Sequence, residues 1–356
     1  MQLSLKYRPS NFSQVIGQVP SVRILINSIL MNRVPKAFLV SGLHGSGKTT
    51  LARLYAAALN CENFNGDICG VCSSCIDTQN NSHQSVIEID AASNNGVDDV
   101  RELEKILHQK VLHQYRVVIL DESHMMSRSA QAALLKALEE SPANIVFFLV
   151  TTDPEKLEDT VRSRCLSLPL RPLHPRDVAG NIHYILKEEG VAYEDSFVDT
   201  LSLYGGGSLR DVQQLLEQMV ISAGNEPLRS ELLEESLGIV STERYKDLAT
   251  VLITKDIKYS LSEINRWYKE GVDLELMFFE GIPNLLRDFT VFLTNSISDE
   301  VFLYSGLSVE GLQRNLNLTI GDIRMIDREW ELVYLMMKDG THTKVLFEMF
   351  ITKVCN

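Results

Sequence analysis

The stretch Gly42-Leu43-His44-Gly45-Ser46-Gly47-Lys48-Thr49 constrains this chain more than any other. A glycine, four residues and then Gly-Lys-Thr is the spacing of a phosphate-binding loop. Such a loop works only between a strand and a helix, and both flanks are present. Ala37-Phe38-Leu39-Val40 is an apolar run of strand length, and residues 50–59 are strong helix formers without a breaker. The glycines let backbone N–H groups close around phosphate oxygens without interference from a Cβ. The helix N-terminus adds a favourable dipole for the anion. Gly42, His44, Gly45, Ser46, Gly47 and Thr50 are therefore expected to line a nucleotide phosphate site. Lys48 is placed to reach the β- and γ-phosphates, and the Thr49 hydroxyl to hold magnesium.

A second constellation lies downstream. Val117-Val118-Ile119-Leu120 reads as a strand and ends in Asp121-Glu122. An acidic pair after a strand is often a plain surface turn. Beside a phosphate loop the better reading is Asp121 completing a magnesium shell and Glu122 orienting or activating the attacking water. Thr151-Thr152 ends the next strand, where a polar side chain can sense a γ-phosphate; Thr-Thr-Asp-Pro is also an ordinary strand exit. Ser163-Arg164-Cys165 and Ser208-Leu209-Arg210-Asp211 each carry an arginine that could stabilise transition-state charge. Each arginine taken alone reads rather as a surface or helix-cap residue, and Cys165 reads as packing. The histidines show no ligand spacing, and His124, after the acidic pair, is read as part of a helix-entry turn.

Of the six cysteines, Cys61, Cys69, Cys72 and Cys75 are clustered in a segment with few apolar residues. Two short Cys-x2-Cys steps fit a closed tetrahedral zinc site that staples a piece of chain too small to own a core. An iron–sulfur cluster is the lesser metal reading, and with four thiolates no ligand position is left for catalytic water. There is no signal-peptide pattern at the start and no apolar run long enough to span a bilayer, so a cytoplasmic location and no membrane partner are expected. The net charge is −13. The motif-bearing first part is close to neutral and the acidic excess falls later, so total charge does not exclude nucleic acid as a partner.

The order of elements supplies the fold class. A helix over 19–32 places Val22, Leu25, Ile26, Ile29 and Leu30 on one face. Strands at 37–40, 85–90, 116–120 and 144–151 alternate with helices, including 97–112 and 129–140, which implies a parallel sheet covered on both faces. The segment before residue 19 reads as irregular. Pro169, Pro172 and Pro175 mark a boundary, and helices are expected from there on, among them 176–189, 194–204, 208–221, 259–269, 274–294 and 323–338. The domains expected are an α/β P-loop domain over 1–170 with a zinc-binding insertion at about 61–75, a three-helix domain over 171–227, and an all-α domain over 228–356.

Taken together these motifs resemble the gamma/tau family of bacterial DNA polymerase III clamp-loader subunits, within the AAA+ ATPases. The likeness rests on Lys6-Tyr7-Arg8-Pro9 with Val15-Ile16-Gly17-Gln18, the phosphate loop, the four-cysteine insertion and Ile87 through Ser93. It continues through residues 121–127, 134–140, 151–154, 163–165 and 207–211. The match is close from residue 4 to about 220; beyond about 230 only helical character is shared. The first cysteine gap is seven residues where eight is usual in the family, Ser141 stands where proline is frequent, and Arg162 where an apolar residue is usual.

The resemblance implies an ATPase that loads a sliding clamp onto primer–template DNA, as one subunit of a pentameric hetero-oligomeric ring. It implies ATP and Mg2+ as ligands and structural Zn2+. Tyr7, Arg8, Val15 and Ile16 would form the adenine side of the pocket, and Thr152 the first sensor. Arg164 would act in trans on a neighbouring subunit's ATP, with Arg162 the competing guanidinium, and Arg210 would be a second sensor in a lid domain. Residues 228–356 would be the collar. DNA contacts would be to phosphates, with Arg101, Lys105 and Arg128 as candidates, although Arg101 and Lys105 also fit a solvated helix face. Two rivals are a non-hydrolysing stator-type subunit, disfavoured by the intact loop and acidic pair, and an AAA+ DNA remodeller, disfavoured by the cysteine insertion and Ser163-Arg164-Cys165.

Overall fold

The computed structural model describes residues 2–79, 83–107, 109, 113–294, 318–337 and 342–355. Two compact units emerge, residues 1–173 with 207–214, and residues 174–206 with 215–356.

The first unit is built on five parallel strands: β1 Ala37–Ser41, β2 Val86–Asp90, β3 Arg116–Asp121, β4 Ile145–Thr151 and β5 Leu166–Pro169. Their order is β2-β3-β4-β1-β5, with every pair parallel. The helices are α1 Leu3–Lys6, α2 Val19–Leu30, α3 Lys48–Leu59, α4 Ser73–Gln79, α5 Val97–Leu107, α6 Arg128–Glu140 and α7 Asp159–Arg162. All positions of β4 are buried, as a strand covered on both faces requires. Alternate residues of β1 and β4 feed two cores. Phe38, Val40 and Phe148 pack with Leu51 and Tyr55 of α3, while Leu39, Phe147 and Leu149 pack with α5 and α6. Phe38 stacks on Phe148 at 4.8 Å and meets Tyr55 edge-on at 5.1 Å.

The expected strands are present, and the sheet has one more than the sequence suggests. β5 pairs along β1 only and buries Leu168 alone. A four-residue edge strand lacks the continuous apolar run that marks a central one. The N-terminal segment, expected to be irregular, holds α1 and a 3-10 turn at Phe12–Gln14, in which the Asn11 side chain accepts from the Gln14 amide. α2 buries Leu25 but leaves Leu30 exposed at its end. The helix expected over 97–112 is formed over Val97–Leu107; residues 108 and 110–112 lie outside the described residues.

The second unit is helical. It comprises α8 Pro175–Glu189, α9 Asp195–Tyr204, most of α10 Leu209–Ala223, α11 Ser230–Leu237, α12 Thr242–Thr254, α13 Ile257–Lys269, α14 Leu274–Leu276, α15 Ile282–Leu293, α16 Ile320–Met337 and α17 Thr343–Cys355. Its core gathers Trp267, Phe278, Phe289, Phe347 and Phe350. The single helix expected over 274–294 is interrupted by a π-helical turn at Met277–Gly281, after which Pro283 opens α15. Proline has no N–H for the preceding ladder and fits the first turn of a new helix. α16 begins earlier than the expected residue 323, because Thr319 and Asp322 form a capping box. The Thr319 amide donates to Asp322 at 2.8 Å and the Asp322 amide to Thr319 Oγ1 at 3.2 Å. Its expected end, Lys338, lies outside the described residues. No described helix is long and apolar enough to cross a membrane.

Candidate nucleotide-binding site

The loops that carry the motifs leave the sheet at its C-terminal edge, where open α/β sheets place their ligands. Ser41, the last residue of β1, is in register with Thr151 of β4, and Asp121 ends β3 beside Asp90. Gly47 caps α3 with φ 95°, a left-handed conformation that suits glycine. The next residue, Lys48, is nearly buried. Its Nζ donates to the loop carbonyls of Gly42 and Leu43 at 3.0 and 2.9 Å. Burial lowers its pKa, and the nearby Glu122 and Asp121 carboxylates oppose that shift.

Thr49 Oγ1 donates to Asp121 Oδ2 at 2.8 Å. The two residues expected to share magnesium are thus brought together from elements far apart in sequence. Glu122 follows with φ 48°, and its amide donates to Asp121 Oδ1 at 2.9 Å. His124, given no role from sequence beyond a turn, lies in a 3-10 turn at Ser123–Met125. Its Nδ1 is 3.4 Å from Glu122 Oε2 and 3.1 Å from Thr151 Oγ1. Through His124 the acidic pair is linked to Thr151, which is fully buried; Thr152 is exposed, and neither threonine lines the cleft.

Around the loop is a cleft of about 300 Å³. Tyr7, Arg8, Val15 and Ile16 form one wall, and Arg210 with Gln213 and Gln214 of α10 form another. Gln213 and Gln214 were not picked out from sequence, although i+3 and i+4 spacing from Arg210 puts them on its helix face. The loop tip closes on α10: a Cβ at Gly45 would come within 2.1 Å of Ser208 Oγ and 3.0 Å of Arg210 Cβ. Ser46 Oγ is buried and has no hydrogen-bond partner among the described residues. An orphaned hydroxyl in the loop, beside the cations Lys48, Arg8 and Arg210, suits a polyanion. Arg8's pKa is lowered by burial and then by Arg53 and Arg210, and Glu88 and Asp121 offset part of that shift.

Arg164 lies outside this cleft. It donates through Nε to Glu139 at 2.7 Å and through Nη1 to the Thr160 carbonyl at 2.8 Å. Arg162 is paired with Glu155 at 2.7 Å and also with Asp159. Of the candidate DNA-facing cations, Arg101 pairs with Asp98 at 2.9 Å, Arg128 lies 3.6 Å from Glu158, and both are largely exposed. Lys105 is exposed on α5.

The thiols of Cys61, Cys69, Cys72 and Cys75 converge, with all four sulfur atoms within 4.8 Å of one another. Cys69 Sγ and Cys75 Sγ are 3.9 Å apart, close to the roughly 3.8 Å separation that four Zn–S bonds of about 2.3 Å impose on a tetrahedron. None is in a disulfide. The Val71 and Cys72 amides lower the Cys69 pKa to about 6, while burial pushes Cys75 and Cys61 up. One thiolate already favoured among four gathered sulfurs suits a soft divalent cation such as zinc.

Residues 17–174 match a family profile described as DNA polymerase III, delta subunit. The chain is 37% identical over 258 residues to the DNA polymerase III subunit gamma of Buchnera aphidicola, covering 72% of this chain and 70% of that protein. It is 32% identical to the subunit tau of Bacillus subtilis, over 98% of this chain and 62% of the relative. It is 36% identical to the subunit tau of Salmonella typhimurium, over 80% of this chain and 44% of the relative, so it spans less than half of that tau protein. The fold is also that of the RuvB Holliday junction branch migration motor of Thermotoga maritima, with a TM-score of 0.50 at 18% identity over 69% of this chain and 79% of that one. The phosphate loop, the acidic pair and the four thiols thus sit on an AAA+ ATPase fold, in a chain that belongs to the gamma/tau family of DNA polymerase III subunits.

Proposed function

We propose that this chain is an ATPase subunit of a clamp loader, using ATP to place a sliding clamp on primed template DNA. The observation that carries the reading is the Thr49–Asp121 contact beside Lys48 and Glu122, on a fold and in a family where such a set binds ATP. Lys48 and the loop amides would hold the triphosphate, and Thr49 with Asp121 would hold Mg2+, which supplies charge neutralisation at the phosphates. Glu122 would accept a proton from the attacking water, with His124 and Thr151 fixing its carboxylate. Thr152, the sensor expected from the family motif, is exposed and would need to turn inward to reach the nucleotide. Tyr7, Arg8, Val15 and Ile16 would enclose the base, and Arg210 would reach the same nucleotide.

Residues 1–170, 171–227 and 228–356 would serve as ATPase domain, lid and collar. Arg164 would exchange Glu139 for the phosphates of a neighbouring subunit's ATP. Partners would be other loader subunits in a pentameric ring, the clamp and DNA held by its phosphates, in the cytoplasm. Zn2+ in the four-cysteine site would be structural. ATPase of this chain with candidate partner subunits, measured with and without clamp and primed DNA, tests the reading. Stimulation by clamp and DNA together, lost in Lys48→Ala, is expected. Turnover indifferent to both, or unchanged in Lys48→Ala, overturns it.

A further inference from the structure

A side chain of the four-cysteine segment that belongs to neither site is hydrogen-bonded to the turn between two stretches of the cleft wall. Asp67, in the loop between Cys61 and Cys69, points its carboxylate at the 3-10 turn Phe12–Gln14. Oδ1 accepts from the Phe12 amide at 2.8 Å and Oδ2 from the Ser13 amide at 3.0 Å. Oδ1 also accepts from the Ile68 amide at 2.7 Å, so the carboxylate is held from both sides. Charge-assisted hydrogen bonds of this kind are the stronger sort. Phe12 is buried in the apolar cluster that contains Ile68, Cys72 and Cys75. The turn is flanked by the residues that form the cleft wall, Tyr7 and Arg8 before it, Val15 and Ile16 after it. A cavity of about 400 Å³ is lined by both Arg8 and Cys75. Asp67 thus supplies two direct polar ties between the two regions.

We infer that Asp67 is a positioning residue, through which the folded cysteine segment sets the base-side wall of the nucleotide cleft and couples metal occupancy to nucleotide affinity. The inference rests on the ATP-binding reading above. Without Asp67 the Phe12–Gln14 turn loses two amide acceptors, and the wall carrying Val15 and Ile16 is no longer referred to the cysteine segment. Coupling of this kind is reciprocal: bound nucleotide must hold the metal more tightly by the same factor that metal strengthens nucleotide.

The test uses the full chain, a fluorescent ATP analogue followed by anisotropy, and zinc release followed with a chromogenic chelator. Asp67→Ala is expected to keep its zinc at wild-type stoichiometry and to bind the analogue about tenfold more weakly, a mid-range value for coupling between sites. Stripping zinc from the wild type should weaken the analogue by a similar factor, and stripping it from Asp67→Ala should add little. Saturating nucleotide should slow zinc release from the wild type but not from Asp67→Ala. Asp67→Asn, which keeps one acceptor, should fall between the two and serves if the alanine variant does not fold. Wild-type affinity in both variants with zinc bound overturns the coupling alone. A wild type that binds no analogue, or binds it equally well as Lys48→Ala, overturns the nucleotide reading and this inference with it.

Discussion

Glu122 holds a left-handed backbone, φ 48°, which costs a non-glycine residue on the order of 1 kcal/mol. The cost is met locally, by its amide on Asp121 and its carboxylate near His124. Strain kept at a chemically placed residue separates two substitutions. Glu122→Gln preserves shape and should bind ATP normally while turning over at least ~100-fold more slowly, the usual contribution of a general base. Glu122→Gly should be as inactive yet raise the unfolding midpoint, because glycine adopts φ 48° freely. Near-normal turnover in Glu122→Gln removes the residue from the chemistry. Lys48, Thr49, Asp121 and Glu122 were legible because each motif is short and its residues are fixed relative to one another by one strand exit. The link from Glu122 through His124 to Thr151 was not, since only the pairing of β3 with β4 brings those residues together.

Among elements, the cysteine segment and α16 are each held by a few polar contacts, and pH should reveal both. In metal-free protein Cys69 has a pKa of about 6 against an ordinary 9.0, because the Val71 and Cys72 amides favour its thiolate. Its folded pKa is depressed, so its contribution is in place above the ordinary value and is lost as pH falls through about 6. Alkylation of the stripped chain, read peptide by peptide, should therefore inflect near pH 6 at Cys69. Cys61 and Cys75, whose pKa values are raised by burial, should react only above the ordinary thiol range. Equal profiles at Cys61, Cys69 and Cys75 would refute the assigned environments. At α16, Asp322 is depressed by Lys255 and then Thr319, so its support is present above about pH 4 and fades in acid. Thr319→Ala should cost about 1 kcal/mol, the usual loss of a cap, seen as a lower unfolding midpoint at neutral pH. That box was readable in Thr319-x-x-Asp322 and the apolar pattern alone missed it. β5 had no comparable local mark, since its pairing with β1 is wholly non-local.

For the whole molecule, the proposed role of Arg164 asks how a guanidinium outside its own cleft would act on a neighbouring subunit's ATP. Arg164 is tied to Glu139, a pair in which both side chains are substantially exposed. Exposed ion pairs are worth roughly 0–1 kcal/mol, so the arginine can leave Glu139 for a more highly charged phosphate at little cost. Arg162 is less exposed and carries two carboxylates at once, Glu155 and Asp159, which makes it the harder guanidinium to release. The Ser163-Arg164-Cys165 motif pointed to Arg164 through the family resemblance alone; its pairing with Glu139, distant in sequence, was not legible. Arg164→Ala should leave analogue binding by the isolated chain unchanged, since the residue does not line the cleft. In the reconstituted assembly it should lower ATP turnover by about 10³-fold, the scale of an arginine finger. Arg164→Lys should not restore turnover, because an ammonium lacks the planar fork. Glu139→Gln should keep turnover and shift it by no more than a few-fold, as the weak pair permits. If Arg162→Ala produces the large loss and Arg164→Ala does not, the roles are reversed, and the carboxylate pair around Arg162 becomes the contact that must open on assembly.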